Sequence, residues 1–296
     1  IFCKALLICF FAVVIVGGCS AFGVISGIIA SAPSIEDIDA TPTGYLTTVL
    51  DNQGNQTATL VASGSNRKYV TINEIPINLQ HAFVAIEDER FYDHNGIDLQ
   101  GILRAGLKGV ASGFHFSEGA STITQQLLKN TVFTQWTSEQ SMADKFERKF
   151  QEQYLALQLE KVVDKDWILE NYLNAINLGQ NTLGVGVASE RYFGKDVSDL
   201  TLSECAVLAA ITQSPSYYNP ITHPDHNKER RQKVLNNMLD QGYISQTEYD
   251  EAVADNVYDR IQVVNVESQD ENINSYFVDE MTDQIVQDMI DRLGYT

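Results

Sequence analysis

The sequence predicts a mainly α-helical protein with an apolar N-terminal helix and a small β-rich segment after it. Three observations support this fold class. Residues 5–30 form an uncharged apolar run, residues 45–72 alternate between apolar and polar positions, and most of the sequence from residue 76 to residue 256 repeats apolar residues at helical spacing. A chain of 296 residues, 44% of them hydrophobic, is long enough to bury a sizeable core.

The apolar run over residues 5–30 is long enough to cross a bilayer. As a helix it would extend about 39 Å at ~1.5 Å per residue. A cleaved signal peptide is the alternative, because residues 16–19, Val-Gly-Gly-Cys, resemble a lipoprotein cleavage site. The run continues well past Cys19, which favours an anchor. Lys4 precedes the run, so the positive-inside rule predicts that the rest of the chain lies outside the cytoplasm.

Residues 31–72 are predicted to form a β-rich stalk. Three alternating runs separated by polar turn residues indicate strands at 45–50, 56–61 and 67–72. A second change of pattern comes near the end of the chain. There we expect a strand at 260–266, a polar linker at 267–274 and an acidic amphipathic helix at 276–293.

The region between these segments is predicted to be helical. Its first helix, at residues 77–86, carries one apolar stripe and brings Glu87 to its end. A capping box formed by Thr201 and Glu204 precedes a buried apolar helix. The other helices of this region are expected at residues 99–110, 138–162, 166–178, 205–211, 226–241 and 246–256.

Another helix start is indicated at residue 122, where Thr122 and Gln125 have the spacing of a capping box. The N-terminus of a helix suits an anion, and Lys129 lies two turns further on the same face. In the helix at 138–162, Phe146, Phe150, Tyr154 and Leu157 form an apolar stripe. Another face of that helix carries Lys145, Arg148 and Glu152, with Lys149 beside them.

The charge distribution points to an anionic substrate. The net charge of −19 argues against a nucleic-acid-binding protein. Residues 101–150 nevertheless hold six basic and four acidic side chains, a local net charge of +2. The five histidines show no metal-ligand spacing, and Cys205 is the one cysteine beyond the apolar N-terminus, so that part of the chain has no disulfide of its own.

Three segments taken together resemble a known family. They are Glu-Asp-x-x-Phe-x-x-His-x-Gly at 87–96, Gly-x-Ser-Thr-Ile-Thr-Gln-Gln at 119–126 and Arg-Lys-x-x-Glu at 148–152. In this order they resemble the first three motifs of the family 51 peptidoglycan glycosyltransferases, the glycan-polymerising module of class A penicillin-binding proteins. Two further motifs follow at 170–195 and 202–220.

The resemblance implies a lysozyme-like helical glycosyltransferase domain at 73–257, after a transmembrane anchor at 5–30 and the stalk at 31–72. Residues 258–296 would be a linker and the start of a transpeptidase region. The implied substrates are lipid II and the growing lipid-linked glycan, at the outer face of a bacterial cell membrane. Cell-wall synthesis proteins are the implied partners, and a divalent cation, Mg²⁺ or Mn²⁺, is the one cofactor considered.

The resemblance also assigns roles to residues. Glu87 would be the general base on the acceptor 4-hydroxyl, and Glu152 with Arg148 and Lys149 would orient the donor diphosphate. The remaining substrate-binding positions are Ser121, Thr124, Gln125, Gln126 and Lys129. Two residues are unfavourable for binding an anion. Glu118 places a negative charge beside Gly119, and Gln151, just before Glu152, adds no positive charge.

Two other functions are considered. Two carboxylates on a helical domain also suit a lysozyme-like glycan hydrolase or a lytic transglycosylase. A diphosphate leaving group needs cations rather than a strong acid, so the cations around the second carboxylate favour a transferase. A non-enzymatic membrane scaffold would require a lost catalytic group, and Glu87 and Glu152 are both present.

Overall fold

Helices make up most of the residues that the computed structural model describes, which are 2–54, 56–60, 66–111, 119–139, 141–263 and 276–293. This confirms the mainly α-helical fold class. The chain forms two units, one of Ile1–Pro42 with Phe83–Ala175 and the other of Thr43–Ala82 with Ile176–Thr296. The domain boundaries expected from the sequence stay predictions.

The first unit begins with α1, Phe2–Ala30, which confirms the predicted N-terminal helix. Within it, Phe10–Ala30 is apolar and long enough to cross a bilayer. The unit also contains the end of α2 (Ile77–Glu87), α3 (Leu99–Ala111), α4 (Ile123–Thr131), α5 (Met142–Leu159) and α6 (Lys165–Ala175).

Helix α4 contacts both α5 and α6, and these contacts form the core of the first unit. Burial of large apolar side chains supplies most of the favourable free energy of such a core. The fully buried side chains of this unit include Phe83, Phe91, Ile123, Leu127, Leu128, Leu155, Leu169 and Tyr172. The polar residues of the site are therefore carried on helices that are fixed by packing.

The apolar stripe predicted for α5 is wrong. Phe146 is 59% exposed and Leu157 is 39% exposed. The buried face instead contains Gln151, Glu152 and Leu155, together with Ala156 and Leu159. Polar side chains occupy this face because each has buried partners, as described below. The helix also starts later than expected, with Ser141 as its N-cap, and residues Thr134–Ser138 form a 3₁₀ turn.

The second unit contains a two-stranded antiparallel sheet and the C-terminal helices. Strands β1 (Thr47–Leu50) and β2 (Gln56–Leu60) pair Thr47 with Leu60. The helices are α7 (Val185–Phe193), α8 (Leu202–Ala209), α9 (Pro224–Asp240), α10 (Gln246–Ala254) and α11 (Tyr276–Leu293). The capping box of Thr201 and Glu204 is present at the start of α8, as predicted.

One predicted strand is absent, and the described part of a second is irregular. Residues 67–72 lie outside any strand, because their backbone bonds single neighbours rather than a ladder, as when Leu46 N donates to Arg67 O at 2.9 Å. At the predicted strand 260–266, Val257–Arg260 is a 3₁₀ turn and residues 261–263 are irregular. Arg260 is held there by ion pairs to Glu204 and Asp255. Residues 264–274, and with them the predicted linker, lie outside the described residues.

The turn after α6 differs from the expected one. We predicted that the helix would run to Leu178, but it ends at Ala175. Asn177 then pairs with Leu183 in a short bridge, and Gly184 N donates to Ile176 O at 2.8 Å. Gly179 adopts a left-handed conformation with φ 78°, which glycine tolerates without strain.

Candidate active site

Glu87 is the last residue of α2. The helix buries Leu79 and Phe83 completely, and this packing fixes the point at which the chain turns and Glu87 becomes partly exposed. Gln126 Nε2 donates to Glu87 Oε2 at 2.9 Å. Tyr172 OH donates to Gln126 Oε1 at 3.4 Å, and so orients the amide with its NH₂ group toward Glu87. The carboxylate is therefore held by a neutral donor and keeps an exposed edge.

Asp88, next to Glu87, is a structural residue that the sequence interpretation did not single out. It is buried, and both of its oxygens lie 3.0 Å from His94 Nε2. Gly96 N donates to His94 Nδ1 at 3.2 Å, so Nε2 carries the ring proton and donates to Asp88. Asp88 Oδ2 also accepts the Ile123 N–H at 2.9 Å. Its charge thus stabilises the N-terminus of α4.

Gly96 lets this loop approach α5 closely. Its φ is 91°, and a Cβ atom at this position would lie 2.5 Å from the Ala156 carbonyl oxygen. The Gly96 carbonyl accepts hydrogen bonds from Thr122 Oγ1 at 2.8 Å and from Gln125 Nε2 at 3.3 Å. A side chain at residue 96 would therefore separate α4 from α5.

The start of α4 confirms half of the predicted capping box. Thr122 is the N-cap, and its hydroxyl accepts the Gln125 N–H at 3.2 Å. The Gln125 side chain does not return to Thr122, because its Oε1 accepts from Lys149 Nζ at 2.9 Å. Lys149 also donates to Ser121 Oγ at 2.8 Å. Gln125 and Ser121, both predicted to contact the substrate, are therefore hydrogen-bonded to Lys149 of α5.

Glu152 lies at the centre of this cluster and is 1% exposed. Lys149 Nζ lies 3.1 Å from its Oε2, and Arg148 binds its Oε1. Arg148 Nε also donates to Glu139 Oε1 at 2.7 Å. Burial alone would lower the pKa of Arg148, but its bonds to Glu139 and Glu152 raise it above the ordinary value. We call Ser121, Gln125, Glu139, Arg148, Lys149 and Glu152 the donor cluster.

Glu139 was not identified from the sequence. Its Oε2 atom is buried and has no hydrogen-bond partner among the described residues. Such a group costs free energy unless a ligand or another donor satisfies it. The sequence offered no signal for it, because Glu139 lies nine positions before Arg148 in an irregular segment.

Three predicted residues lie apart from the donor cluster. Lys129 Nζ lies 4.4 Å from the centre of the Trp136 ring, and burial lowers the pKa of this amine while the charge of Glu152 opposes the shift. The Thr124 hydroxyl binds Glu160, whose other oxygen pairs with Lys165 at 2.6 Å. Lys145 is exposed and does not reach Glu152, because seven helical residues separate them by about 10 Å. Glu118 lies outside the described residues.

The described residues do not form a metal site by themselves. They contain no group of three or more histidine, cysteine, aspartate or glutamate side chains that could hold an ion. Both oxygens of Glu152 are occupied by cationic side chains, and Glu139 offers one free oxygen. Mg²⁺ commonly binds one or two carboxylates together with substrate phosphates. A requirement for Mg²⁺ or Mn²⁺ therefore stays a prediction.

Comparison with known proteins identifies related sequences. A family model described as transglycosylase matches residues 53–239. Penicillin-binding protein 1A of Clostridium perfringens is 40% identical over 91% of this chain and 40% of its own length. Penicillin-binding protein 1F of Bacillus subtilis is 48% identical over 68% of this chain and 27% of its own length. The chain thus spans well under two thirds of these relatives.

A crystal structure of penicillin-binding protein 1A from Haemophilus influenzae is also similar. It is 24% identical, covers 86% of this chain and 25% of its own, and has a TM-score of 0.42, which is too low to support a conclusion about this chain.

Proposed function

Because this chain belongs to the transglycosylase family, we propose that it is a peptidoglycan glycosyltransferase that polymerises lipid II into β-1,4-linked glycan. One observation carries the proposal. Consecutive glutamines of α4 are linked to the two carboxylates, directly for Gln126, which donates to Glu87, and through Lys149 for Gln125, because Lys149 also pairs with Glu152. One rigid helix therefore sets the position of a partly exposed carboxylate relative to a cationic cluster.

Glu87 would act as the general base. It takes the proton from the 4-hydroxyl of lipid II, and that oxygen attacks C1 of the growing lipid-linked chain. The C1–O bond to the diphosphate breaks with inversion, and polyprenyl diphosphate leaves with the bonding electron pair. A base needs an accessible oxygen within reach of the hydroxyl. Glu87 is partly exposed and accepts a hydrogen bond from the neutral amide of Gln126, which suits this role.

The donor cluster would bind the diphosphate. Arg148 and Lys149 supply positive charge, and Glu152 keeps both cations in place until the substrate arrives. Ser121 and Gln125 add polar contacts at the start of α4. Lys129 is a further cation on that helix, whereas Thr124 would act indirectly through Glu160. Fixed cations stabilise a leaving group whose negative charge grows as the bond breaks.

The hydrolase alternative finds no support in the relatives reported above. In the structure, the cations beside Glu152 also argue against it, because a glycosidic oxygen needs a proton from a raised-pKa acid rather than cationic side chains. Transfer from a lipid diphosphate explains both the carboxylates and the cations of the site, whereas hydrolysis explains the carboxylates alone.

We further propose that the first unit works at a membrane surface. Helix α1 is apolar enough to anchor it. Helix α3 adds a second apolar surface, because several of its large side chains face solvent. These are Leu99, Ile102, Leu103, Leu107 and Val110. A lipid-linked substrate stays in the bilayer, so apolar groups on the same unit as the donor cluster would keep enzyme and substrate together. We propose that the catalytic residues lie on the extracytoplasmic side.

The test is polymerisation of labelled lipid II by the chain in lipid vesicles, with products separated by size. The parent should form long polymer, and Glu87→Gln should slow it at least about a hundredfold because the amide cannot accept the proton. Glu89→Gln is the matched control, since Glu89 is the exposed next-but-one carboxylate and pairs with Arg104 at 3.2 Å. It should stay within about threefold of the parent, as expected for an exposed ion pair.

Continued polymerisation by the Glu87→Gln variant would exclude Glu87 as the base. If the parent left lipid II unchanged and instead shortened preformed glycan, the chain would be a hydrolase.

A further inference from the structure

The end of α1 is hydrogen-bonded to α5 through Gln151, the residue just before Glu152. The Gln151 side chain is 9% exposed. Its Nε2 lies 3.1 Å from Ser31 Oγ and 3.4 Å from the Ile28 carbonyl oxygen. The sequence interpretation had treated Gln151 only as a missing charge.

These bonds satisfy groups that a helix end leaves open. The last carbonyls of an α-helix have no partner within the helix. At the end of α1, the Ile28 carbonyl accepts from Ser31 Oγ at 2.8 Å and from Gln151 Nε2. Glu147 Oε1 of α5 also lies 3.3 Å from Ser31 Oγ and 3.5 Å from Gln151 Nε2. The helix end is therefore completed by side chains of α5.

Helix α1 and the turn after it also pack directly on α5. Next to the Gln151 contact lies a cavity of about 490 Å³, which is bordered by the end of α1, the residues after it and α5. It is lined by Ser26, Ile29, Pro33, Ile35, Tyr154 and Gln158. Because the cavity interrupts this packing, the hydrogen bonds of Gln151 contribute to the attachment alongside the direct helix contacts.

Gln151 and Glu152 face different partners on one helix. Consecutive helical residues point about 100° apart. Gln151 therefore faces α1, while Glu152 faces Arg148 and Lys149. A shift of α5 relative to α1 would move Arg148, Lys149 and Glu152 of the donor cluster by the same distance.

We propose that Gln151 is a positioning residue that holds the donor cluster at a fixed height above the bilayer by fastening α5 to the end of the membrane helix. This inference rests on the proposed function, in which the donor diphosphate is attached to a lipid. Such a diphosphate lies at the depth set by the bilayer, so a displacement of about 1 Å between the cluster and α1 reduces the fraction of productive encounters.

The experiment compares two substrates in the same proteoliposomes. One is lipid II with its full polyprenyl chain in the bilayer, and the other is a water-soluble lipid II analogue with a short chain. Gln151→Met keeps the side-chain size and removes its donors. It should slow polymerisation of the membrane substrate roughly threefold to tenfold, the effect of one lost hydrogen bond. The soluble analogue is not held at a fixed depth and should react within about twofold of the parent rate.

Gln153→Met is the matched control, because Gln153 lies on the same helix, is equally long and contacts no described residue by hydrogen bond or ion pair. It should leave both rates unchanged. Ser31→Ala should reproduce the substrate-dependent loss, and the double variant Ser31→Ala, Gln151→Met should be no slower than either single variant, since both changes break one contact.

Equal losses on the two substrates would show that Gln151 only stabilises the fold, and no loss on either would show that the contact is dispensable. Both results overturn the inference while leaving the proposed function intact. A parent that polymerises neither substrate would instead overturn the proposed function.

Discussion

Two buried glutamates, Glu152 in the first unit and Glu204 in the second, are each held by one lysine and one arginine. Lys149 and Arg148 bind Glu152, while Lys195 and Arg260 bind Glu204 at 2.7 and 2.9 Å. In both places the arginine also binds a second carboxylate. That carboxylate is Glu139 for Arg148 and Asp255 for Arg260.

The two clusters differ in what they leave unsatisfied. Glu204 belongs to a capping box and also accepts the Thr201 N–H at 2.9 Å. Asp255 uses both of its oxygens on Arg260, at 2.8 and 2.6 Å. Around Glu152, by contrast, Glu139 keeps a buried oxygen without a partner among the described residues. A saturated cluster stabilises the fold, whereas an incompletely satisfied one retains capacity for a ligand.

The largest effect that separates the two clusters should come from Glu152→Gln. The glutamine amide has one acceptor oxygen, so it cannot hold both Arg148 and Lys149 in place. The two cations then no longer align the diphosphate. We expect polymerisation of lipid II in vesicles to slow about a hundredfold. The melting temperature should fall less than in Glu204→Gln, because Glu152 caps no helix, Arg148 keeps Glu139, and Lys149 keeps Ser121 and Gln125. A variant that melts early and still polymerises would make this cluster structural.

Glu204→Gln should show the opposite pattern. It breaks the bonds to Lys195 and Arg260 in a fully buried position and weakens the cap of α8. Because both cations are partly exposed and can be hydrated, we expect a loss of about 1–3 kcal/mol in the free energy of unfolding. Thermal melts should fall by several degrees, and the rate per folded molecule should stay within about twofold of the parent. Slower chemistry without a lower melting temperature would contradict this assignment.

A third comparison uses the second carboxylate that each arginine binds, which is Glu139 for Arg148 and Asp255 for Arg260. Glu139→Ala releases Arg148 from one side and should slow polymerisation about tenfold, with little loss of stability because an unsatisfied acceptor is removed as well. Asp255→Ala releases Arg260 and should lower the melting temperature without slowing the reaction. The rates and melts of both variants check this contrast. If Glu139→Ala instead kept the parent rate, the orientation of Arg148 would not depend on Glu139.

Much of the fold followed from local sequence signals. Caps and periodic apolar residues predicted α2, α3, α8, α10 and α11 closely, because each has a capping signal or apolar residues at helical spacing within its own sequence. The failures arose where tertiary contacts override local pattern. Residues 67–72 alternate like a strand, yet Lys68 forms an ion pair with Glu190 of α7, and the sheet in the described part of the chain consists of β1 and β2.

The candidate site was predictable where residues lie within one motif. Arg148, Lys149 and Glu152 share one helix, and the structure joins them as the spacing indicated. Contacts between distant segments were not predictable from spacing. Glu139 and the bond between Gln151 and Ser31 depend on how segments pack, and a capping pattern at Gln125 was overridden by the stronger attraction of the Lys149 charge.

The smallest expected effect concerns the pH dependence of stability. Burial alone would raise the pKa of Glu204, but the bonds from Lys195, the Thr201 N–H and Arg260 outweigh it and hold the pKa below the ordinary value of 4.5. A carboxyl with a lowered pKa stabilises the folded state fully above its ordinary pKa. That stabilisation is lost as the pH falls through the folded-state pKa. The parent should therefore melt at progressively lower temperature as the pH is reduced below about 4.5.

Glu204→Gln should flatten part of this decline, because the variant has no proton to take up at that position. The remaining slope comes from other carboxyls, among them Asp255, whose pKa is lowered by Arg260. Glu251→Gln, an exposed change on α10, is the control and should keep the slope of the parent. Melting temperatures of the three proteins at pH 6, 5, 4 and 3.5 decide the matter. If the melting temperatures of Glu204→Gln and the parent fell in parallel with pH, Lys195 and Arg260 would not stabilise the Glu204 charge. The contrast between a saturated structural cluster and an unsaturated donor cluster would then have no thermodynamic support.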